Sequence, residues 1–394
     1  MKKPSRLSFS TKRPSIRRKK RSVDSNISSE DYQKKYSKMS KINQVGKHKT
    51  RFKKVLFIAL CVLFAIILLV SSVFAILYFS GKSQFKWKEQ EISIPADELL
   101  QSNGNVVKNN GVTYALDEDI TTILCIGVDK DDKVQSKTDK IGSAGQADAL
   151  FLACIDTKEN KYTILSINRD SMVDVDVYST NGNFTSVKKM QACLSYAYGN
   201  GKETSCENTS KSISRLLYNI PIDSYFSINK ACIPLLNDII YGVEVPVYDS
   251  EGNTTGEFTY LEGMEAYDYI HYRDISKIDS NATRLKRQVS YIKAFAAKVI
   301  EQTKYDLGTP LELFETVSIY STTDLNASKI TYLTTNVFSN RKDIKIDFKS
   351  VPGKVVEGKN GFAEYIVDND ALMQVVLDIF YDEVKENPTN QTQK

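Results

Sequence analysis

The chain has 394 residues, enough for one large domain or two modest ones with a buried core, and its formal net charge is +5. The charge is unevenly distributed: residues 1–54 carry 19 basic and three acidic side chains, and the remaining residues carry 34 basic and 45 acidic ones. Only two histidines, His48 and His271, and no CxxC spacing occur, which argues against a zinc site.

Residues 1–54 are rich in Lys, Arg and Ser and poor in apolar residues, which predicts a disordered tail. The following 25 residues, 55–79, contain no charged side chain. As a helix with a rise of ~1.5 Å per residue they would extend about 37 Å, more than the ~30 Å hydrocarbon core of a bilayer. The apolar core of a cleaved signal peptide has only roughly 7–15 residues. We therefore interpret residues 55–79 as a retained transmembrane helix.

The flanking charges predict the orientation of this helix. Basic residues are denser before it (Arg51, Lys53 and Lys54) than after it (Lys82, Lys86 and Lys88). The positive-inside rule then places the tail in the cytoplasm and the rest of the chain outside the cell membrane. Contact with anionic lipids explains the basic tail more simply than binding to nucleic acid, so we expect no nucleic-acid partner.

Five of the six cysteines follow the predicted membrane helix, and an odd number cannot all pair within one chain. Cys125 and Cys154 lie in apolar runs, where a thiol packs as a small hydrophobic group. Cys193 and Cys206 could bridge a loop or remain free, and the sequence leaves this open.

Residues 80–117 are polar with weak periodicity, and we expect an extracytoplasmic stalk. Continuous apolar runs at 121–128, 149–155 and 161–167 are typical of strands covered on both faces. Further strands are predicted at 224–228, 243–248 and 343–348, and helices at 207–218, 230–241, 283–302, 327–338 and 370–381. Strands that alternate with helices predict an α/β domain at 118–384, a three-layer α/β/α sandwich with a central mixed sheet, before a disordered tail at 385–394.

Polar side chains lie at the ends of these elements. Asp129 follows the first strand and Asp148 precedes the second, and two such carboxylates suit Mg²⁺, which takes oxygen ligands and also binds substrate phosphates. Arg169 and Asp170 close the third strand, and further basic or polar residues follow at Lys188, Lys189, Arg273, Arg284, Arg287 and Gln288. Arginines suit an extended phosphate because the planar guanidinium donates two parallel hydrogen bonds. Carboxylates, a metal ion and arginines together are typical of phosphoryl transfer.

Each of these residues also has an ordinary structural interpretation. An Asp after a strand is commonly a turn or helix cap, and an Arg–Asp pair is commonly a surface ion pair worth under ~1 kcal/mol. Arg284 and Arg287 could form a solvated helix face. Spacing alone does not decide between these interpretations.

Seven motifs taken in order resemble the LytR-CpsA-Psr family: ILCIGVDK, ADALFLACID, ILSINRD, KKMQACLSYAYG, YGVEVPV, YDYIHYRD and RLKRQ. The resemblance spans about residues 118 to 302. It implies an α/β/α sandwich whose groove holds a lipid tail, with a pyrophosphate among arginines near a magnesium ion. Members transfer glycopolymers such as teichoic acid or capsule from undecaprenyl pyrophosphate to peptidoglycan. The resemblance thus implies a magnesium-dependent phosphotransferase anchored in the cell membrane, with the polyprenyl-pyrophosphate-linked glycan and peptidoglycan as partners.

The resemblance also implies a role for each matching residue. Asp129 and Asp148 correspond to carboxylates near the metal, Arg169 to a pyrophosphate-binding arginine, and Asp170 to its orienting partner or a catalytic base. The other positions implied at the pyrophosphate are Gln146, Lys189, His271, Arg273, Arg284, Arg287 and Gln288. Gln146 and His271 replace arginines common in the family, which removes two fixed positive charges. A histidine partly substitutes when contact with pyrophosphate favours its protonated form.

Two alternatives to the transferase remain open. The replacements at Gln146 and His271 suit a catalytically weak lipid-pyrophosphate-binding protein with a regulatory or assembly role. A lipid-pyrophosphate hydrolase, in which water replaces the glycan acceptor, is the other.

Overall fold

The computed structural model describes residues 29–85, 91–101, 103–130, 141–142, 144–274, 276–277, 279–306, 308–339 and 345–384. The chain divides into two compact units, Met1–Val73 and Phe74–Lys394. The predicted disorder at 1–28 and 385–394 lies outside the described residues.

A single helix, α1 (Ser29–Gln84), begins the described chain. Its stretch Leu56–Gln84 reaches a mean hydropathy of 3.1, so it is long and apolar enough to cross a membrane. The disorder predicted up to residue 54 is wrong from Ser29 onward. That segment contains many helix-forming Lys and Gln residues and no proline, and Glu30 and Asp31 in the first turn complement the helix dipole.

The described residues after α1 form sixteen strands and seven further α-helices. The strands are β1 (Glu98–Leu99), β2 (Val106–Asn109), β3 (Val112–Leu116), β4 (Ile120–Val128), β5 (Ala147–Asp156), β6 (Lys161–Ile167), β7 (Met172–Tyr178), β8 (Phe184–Gln191), β9 (Ser224–Asn229), β10 (Val243–Tyr248), β11 (Thr254–Leu261), β12 (Ser321–Thr323), β13 (Ile346–Ser350), β14 (Gly353–Glu357), β15 (Ala363–Val367) and β16 (Tyr381–Glu383). The helices are α2 (Glu203–Leu216), α3 (Ile233–Ile239), α4 (Met264–His271), α5 (Ser280–Tyr305), α6 (Thr309–Ser318), α7 (Ala327–Ser339) and α8 (Asn369–Phe380).

The central sheet has six strands in the order β12-β9-β4-β5-β6-β13. β4, β5 and β6 run antiparallel to their neighbours in this set, whereas β9 is parallel to β4 and β13 is parallel to β6. The sheet is therefore mixed, as predicted.

Both faces of the central sheet are covered, because successive side chains of a strand point to opposite faces. On β4, Leu124 belongs to a core shared with Ile213 of α2 and Val376 of α8. Its neighbour Ile123 packs with Tyr332 of α7 in a separate cluster. The predicted α/β/α sandwich is confirmed.

The predicted stalk and the domain boundary at residue 118 are wrong for the described part of 80–117. Ile92 and Ile94 are each 3% exposed and belong to the main core together with Val107. β3 pairs with β16 from the far end of the domain. These strands are short and their partner is distant in sequence, so no local periodicity marks them.

Three antiparallel hairpins, β7–β8, β10–β11 and β14–β15, project from this framework. Lys188 and Lys189 lie on β8, which is followed by two short 3₁₀ turns. The predicted helix at 230–241 is a 3₁₀ turn followed by α3. All six cysteines lie among the described residues and are free thiols, including Cys193 and Cys206.

Candidate functional site

The candidate site lies where β4 ends and β5 begins. Gly127 opposes Ala149 and Val128 opposes Ala147, so Asp148 is the extra residue of a β-bulge. A bulge turns the side chain of its extra residue away from the regular alternation, and bulges are common next to active sites. The backbone N–H of Asp129 donates to Gln146 O at 3.1 Å, which brings the ends of the two strands together. Asp129 follows β4 as predicted, whereas Asp148 does not precede β5 but is its second residue.

Asp148 accepts hydrogen bonds from two arginines. Arg169 Nη1 donates to one carboxylate oxygen, and Arg284 Nη1 donates to the other at 3.0 Å. Arg169 follows β6 and also donates through Nη2 to Gln146 and to Cys193 Sγ, the latter at 3.0 Å. Side chains from three separate elements therefore meet at one carboxylate.

These arginines have more donors than the protein satisfies. Arg169 Nε and Arg284 Nη2 are buried and have no hydrogen-bond acceptor among the described residues. Arg284 is 4% exposed, so water does not freely replace the missing acceptor. A buried donor of a charged group is costly to leave unpaired. The pair is therefore suited to an anionic ligand.

Asp170 lies beside these arginines and is 6% exposed. Its Oδ1 is 3.6 Å from Arg169 Nε, and its Oδ2 accepts a hydrogen bond from Asn281 Nδ2 at 2.5 Å. Burial raises the pKa of Asp170, although the neighbouring arginine and Asn281 oppose the shift. Asn281 also accepts a hydrogen bond from Arg273 Nη1 at 3.1 Å and so links the exposed Arg273 to Asp170. Asn281 was not predicted from the sequence, because it lies between the YDYIHYRD and RLKRQ motifs and belongs to neither.

Asp129 pairs with Lys230, a residue that was not predicted from the sequence. Lys230 Nζ, in the 3₁₀ turn after β9, lies 2.6 Å from Asp129 Oδ1. The hydrogen bond from Lys230 lowers the pKa of Asp129. β9 is parallel to β4, so residues that follow the two strands meet at the same edge of the sheet. Knowledge that β9 pairs in parallel with β4 would therefore have been enough to predict that Lys230 lies near Asp129.

Two cavities meet at Asp148. One has a volume of about 810 Å³ and a polar lining that includes Asp129, Gln146, Asp148, Arg169, Asp170 and Arg273. The other, of about 160 Å³, lies between the sheet and helices α3 to α5, and we call it the apolar slot. Its lining is Cys125, Ile126, Gly127, Val128, Asp148, Ala149, Phe151, Phe226, Ile228, Lys230, Ile233, Ile270, His271, Gln288, Tyr291 and Ile292.

His271 and Gln288 therefore lie in the apolar slot, next to the arginines. The His271 Nδ1 is 2.8 Å from the backbone oxygen of Tyr267, and its ring stacks on the Tyr267 ring with a centroid distance of 4.1 Å. Burial lowers the pKa of His271 in the protein without ligand. The imidazole is then neutral at pH 7, and a charged role for it requires a bound anion.

Three predicted site residues, Arg284, Arg287 and Lys189, do not line either cavity. Arg287 is 5% exposed, and its guanidinium lies over the rings of Tyr272 and Tyr248 at 4.9 and 5.6 Å. Its Nη1 is buried without an acceptor among the described residues. Lys189 is exposed on β8, opposite Asp174.

The carboxylates of the site could ligate a magnesium ion only if a substrate and water supplied its other ligands. Among the described residues, no group of three or more Asp, Glu, His and Cys could hold a metal ion. Asp129 and Asp148 nevertheless line the same polar cavity. Magnesium commonly binds through one or two carboxylates, with waters and substrate phosphates as its other ligands. The site therefore fits an ion shared with a bound phosphate.

Comparisons with known proteins agree with this fold. Residues 83–378 match the model of the LytR_cpsA_psr family. The chain is 26% identical over 239 residues to a protein of Enterococcus faecalis named polyisoprenyl-teichoic acid–peptidoglycan teichoic acid transferase TagU, a match that covers 59% of this chain and 67% of that protein. A protein of the same name from Oceanobacillus iheyensis is 24% identical over 273 residues, with coverage of 67% and 76%.

The solved structure of gbs0355 from Streptococcus agalactiae is similar to this chain with a TM-score of 0.52 and 20% sequence identity. The similarity covers 66% of this chain and 86% of that one. At this identity, it supports the fold alone.

Proposed function

The chain belongs to the LytR-CpsA-Psr family, whose model matches residues 83–378, and from this premise we propose that it is a membrane-anchored, magnesium-dependent phosphotransferase. It moves a glycopolymer from an undecaprenyl-pyrophosphate carrier to a sugar hydroxyl of peptidoglycan. The polymer is of the teichoic acid or capsule type. The two relatives named as teichoic acid transferases support this substrate class.

The observation that carries the proposal is the junction of a polar cavity and an apolar slot at Asp148. A ligand that fills both must have a charged head and an apolar tail. A polyprenyl pyrophosphate has this composition, and its glycan extends from the head into the larger, polar cavity.

The arginines supply the charge that the head requires. Arg169 and Arg284 each keep one buried nitrogen that has no acceptor in the described part of the chain, and both contact Asp148 at the junction. Hydrogen bonds from a guanidinium to phosphate oxygens are charge-assisted and stronger than neutral ones. Gln288 and His271 line the adjoining slot and meet the part of the donor where head and tail join.

Asp170 is the residue suited to accept the proton of the acceptor hydroxyl. It lines the polar cavity, its raised pKa favours proton uptake, and Asn281 fixes its Oδ2. The acceptor oxygen forms a bond to the phosphorus that carries the glycan, and the bond from that phosphorus to the bridging oxygen breaks. The lipid leaves as its phosphate, and the polymer stays joined to the acceptor through a phosphodiester. Asp129 and Asp148 would hold a magnesium ion, whose contribution is to neutralise charge on the pyrophosphate oxygens.

The second candidate is a protein that binds lipid pyrophosphate with little turnover. Gln146 favours it, because this amide stands where the family commonly has an arginine and so removes one positive charge from the site. Its side-chain oxygen instead accepts a hydrogen bond from Arg169. The third candidate, a hydrolase, would use the same base with water.

One assay separates the three candidates. Purified full-length protein is mixed with a short lipid-pyrophosphate-linked polymer, magnesium and peptidoglycan, and the polymer products are resolved. Polymer joined to peptidoglycan supports the transferase, whereas free polymer phosphate would indicate a hydrolase. Donor that stays bound and unchanged would contradict both enzymes and support the binding protein.

A further inference from the structure

The turn of the β14–β15 hairpin places an exposed aromatic ring at the polar cavity. Phe362 is 68% exposed, yet it lines the cavity that contains Asp170. Glu357, Gly361 and Ala363 of the same hairpin also line it. The exposed ring at the wall of the cavity is accessible to a ligand bound there.

The hairpin is fixed to the catalytic aspartate itself. The backbone N–H of Tyr365 donates to Asp170 O at 2.8 Å, and Ser171 forms a parallel bridge with Tyr365. Gln191 Nε2, on β8, donates to Ala363 O at 3.3 Å. At ~3.3 Å per residue, Phe362 lies about 10 Å along the strand from Tyr365. The backbone that carries Phe362 is therefore anchored next to the proposed base.

Resting on the proposed function, we propose that Phe362 is the platform on which a sugar ring of the acceptor glycan stacks. The apolar face of a sugar ring packs on an aromatic face, while its hydroxyl groups require polar partners at the edge. Glu357 and Gln191 line the same cavity and supply such partners. A volume of about 810 Å³ is within the range of small-molecule sites and leaves room for sugar rings between Phe362 and Asp170.

The charges around Phe362 favour a glycan over a lipid surface. Two carboxylates of the β14–β15 hairpin, Glu357 and Glu364, are matched by two lysines, Lys354 and Lys359, so the hairpin has no net charge. It therefore lacks the excess of basic residues that attracts a protein to an anionic membrane surface. The carboxylate of Glu357, which lines the cavity, is a good acceptor for sugar hydroxyls.

The test uses full-length protein in amphipol and a soluble N-acetylglucosamine tetramer as the probe. Saturation-transfer NMR and calorimetry measure binding of the tetramer to wild type, Phe362→Ala and Phe362→Trp. We expect Phe362→Ala to weaken binding at least tenfold and Phe362→Trp to preserve it. Phe258→Ala is the matched control, because Phe258 is 64% exposed on another hairpin, β10–β11.

Equal affinity of wild type and Phe362→Ala for the tetramer would overturn the platform. So would an unchanged sugar affinity accompanied by loss of binding to phosphatidylglycerol vesicles, which would assign Phe362 to the membrane. Affinity for farnesyl pyrophosphate is measured on the same samples. If wild type binds farnesyl pyrophosphate but Phe362→Ala does not weaken tetramer binding, only the role of Phe362 is refuted. If wild type does not bind farnesyl pyrophosphate, the proposed function itself is refuted.

Discussion

At the scale of single residues, Asp148 is the point at which the two arginines of the candidate site meet. The β-bulge on β5 places its carboxylate where Arg169 and Arg284 converge, although these arginines are distant in sequence. Both ion pairs are mostly shielded from water, so removal of one member leaves a buried charge unpaired, which is costly. The surplus guanidinium donors are the groups that we propose bind phosphate oxygens.

Asp170→Asn tests the proposed base. Burial raises the pKa of Asp170, so the folded state holds this proton more tightly than the unfolded chain. The resulting stability is present in full below the unfolded pKa of about 3.9 and is lost as pH rises through the folded pKa. At neutral pH the ionised group is a cost to stability. We expect Asp170→Asn to reduce turnover by roughly 10²- to 10⁴-fold without lowering the melting temperature.

Turnover and thermal melting are measured at neutral pH on the same preparation. A variant that keeps full turnover would remove Asp170 from the role of base. A variant that loses both activity and several degrees of melting temperature would assign it a structural role instead.

His271→Arg tests whether the imidazole contacts the head of the donor. Burial keeps His271 neutral without ligand, and Lys230 and Arg284 nearby also disfavour its charge. If pyrophosphate binds beside it, binding takes up about one proton, and affinity falls as pH rises through the pKa of the bound state. Arginine stays charged, so we expect His271→Arg to flatten the pH profile and to hold or improve affinity at a pH of about 8.

The measurement is the affinity for farnesyl pyrophosphate as a function of pH. Ionisation of the ligand is common to both proteins, so the difference between the two profiles isolates the imidazole. Identical profiles would show that His271 only lines the apolar slot.

The sequence located part of this site for identifiable reasons. Asp129, Asp148, Arg169 and Asp170 lie at the ends of strongly apolar strands, so their convergence could be predicted from the strand pattern. Lys230 and Asn281 could not be found in this way, because their partners are set by the parallel pairing of β9 with β4 and by the loop before α5. Lys189, which the resemblance implies at the pyrophosphate, lies on β8 and lines neither cavity. β8 was not predicted because it has almost no buried residues and so no strand signal.

At the scale of elements, most strands of the central sheet, β10 and the amphipathic helices were predictable, whereas the exposed hairpin strands β8, β14 and β15 were not. β10 coincides with the predicted strand at 243–248, and α5 extends the predicted helix at 283–302 by a few residues at each end. β14 and β15 carry mixed, partly exposed side chains, so no alternation separates them from a loop. These hairpins nevertheless supply Gln191 and Phe362 to the polar cavity.

Ile94→Ala tests whether the segment before β4 belongs to the folded domain. Ile94 is 3% exposed in the main core, so its truncation should lower the free energy of unfolding by about 2–5 kcal/mol. Chemical denaturation followed by circular dichroism measures the change. Leu99→Ala, at a side chain that is 50% exposed in β1, is the control and should have little effect. Equal free energies of unfolding for Ile94→Ala and wild type would indicate that this segment is a stalk outside the folded domain.

At the scale of the whole molecule, the charge asymmetry predicts the topology. The basic segment precedes the apolar stretch Leu56–Gln84, so residues after it should lie outside the cytoplasm. Protease added to intact protoplasts is expected to degrade the domain, detected by an antibody against its C-terminus. Permeabilised cells are the control for accessibility. Protection of the domain with cleavage of the N-terminal tail would show the opposite orientation.

The most direct test of the account is whether one amphiphile occupies both the polar cavity and the apolar slot. Calorimetry compares the binding of farnesyl pyrophosphate, inorganic pyrophosphate and farnesol to the full-length protein in amphipol. The intact lipid should bind more tightly than either part. Arg284→Ala should weaken both pyrophosphate ligands by roughly ten- to hundredfold, the value of one charge-assisted contact of about 1.5–3 kcal/mol, and leave farnesol unchanged.

Lys298→Ala is the control because Lys298 lies on the same helix, pairs with Glu301 and lines neither cavity. The account predicts wild-type affinities for Lys298→Ala. It is contradicted if farnesyl pyrophosphate binds no more tightly than inorganic pyrophosphate, or if Arg284→Ala weakens farnesol as much as the charged ligands.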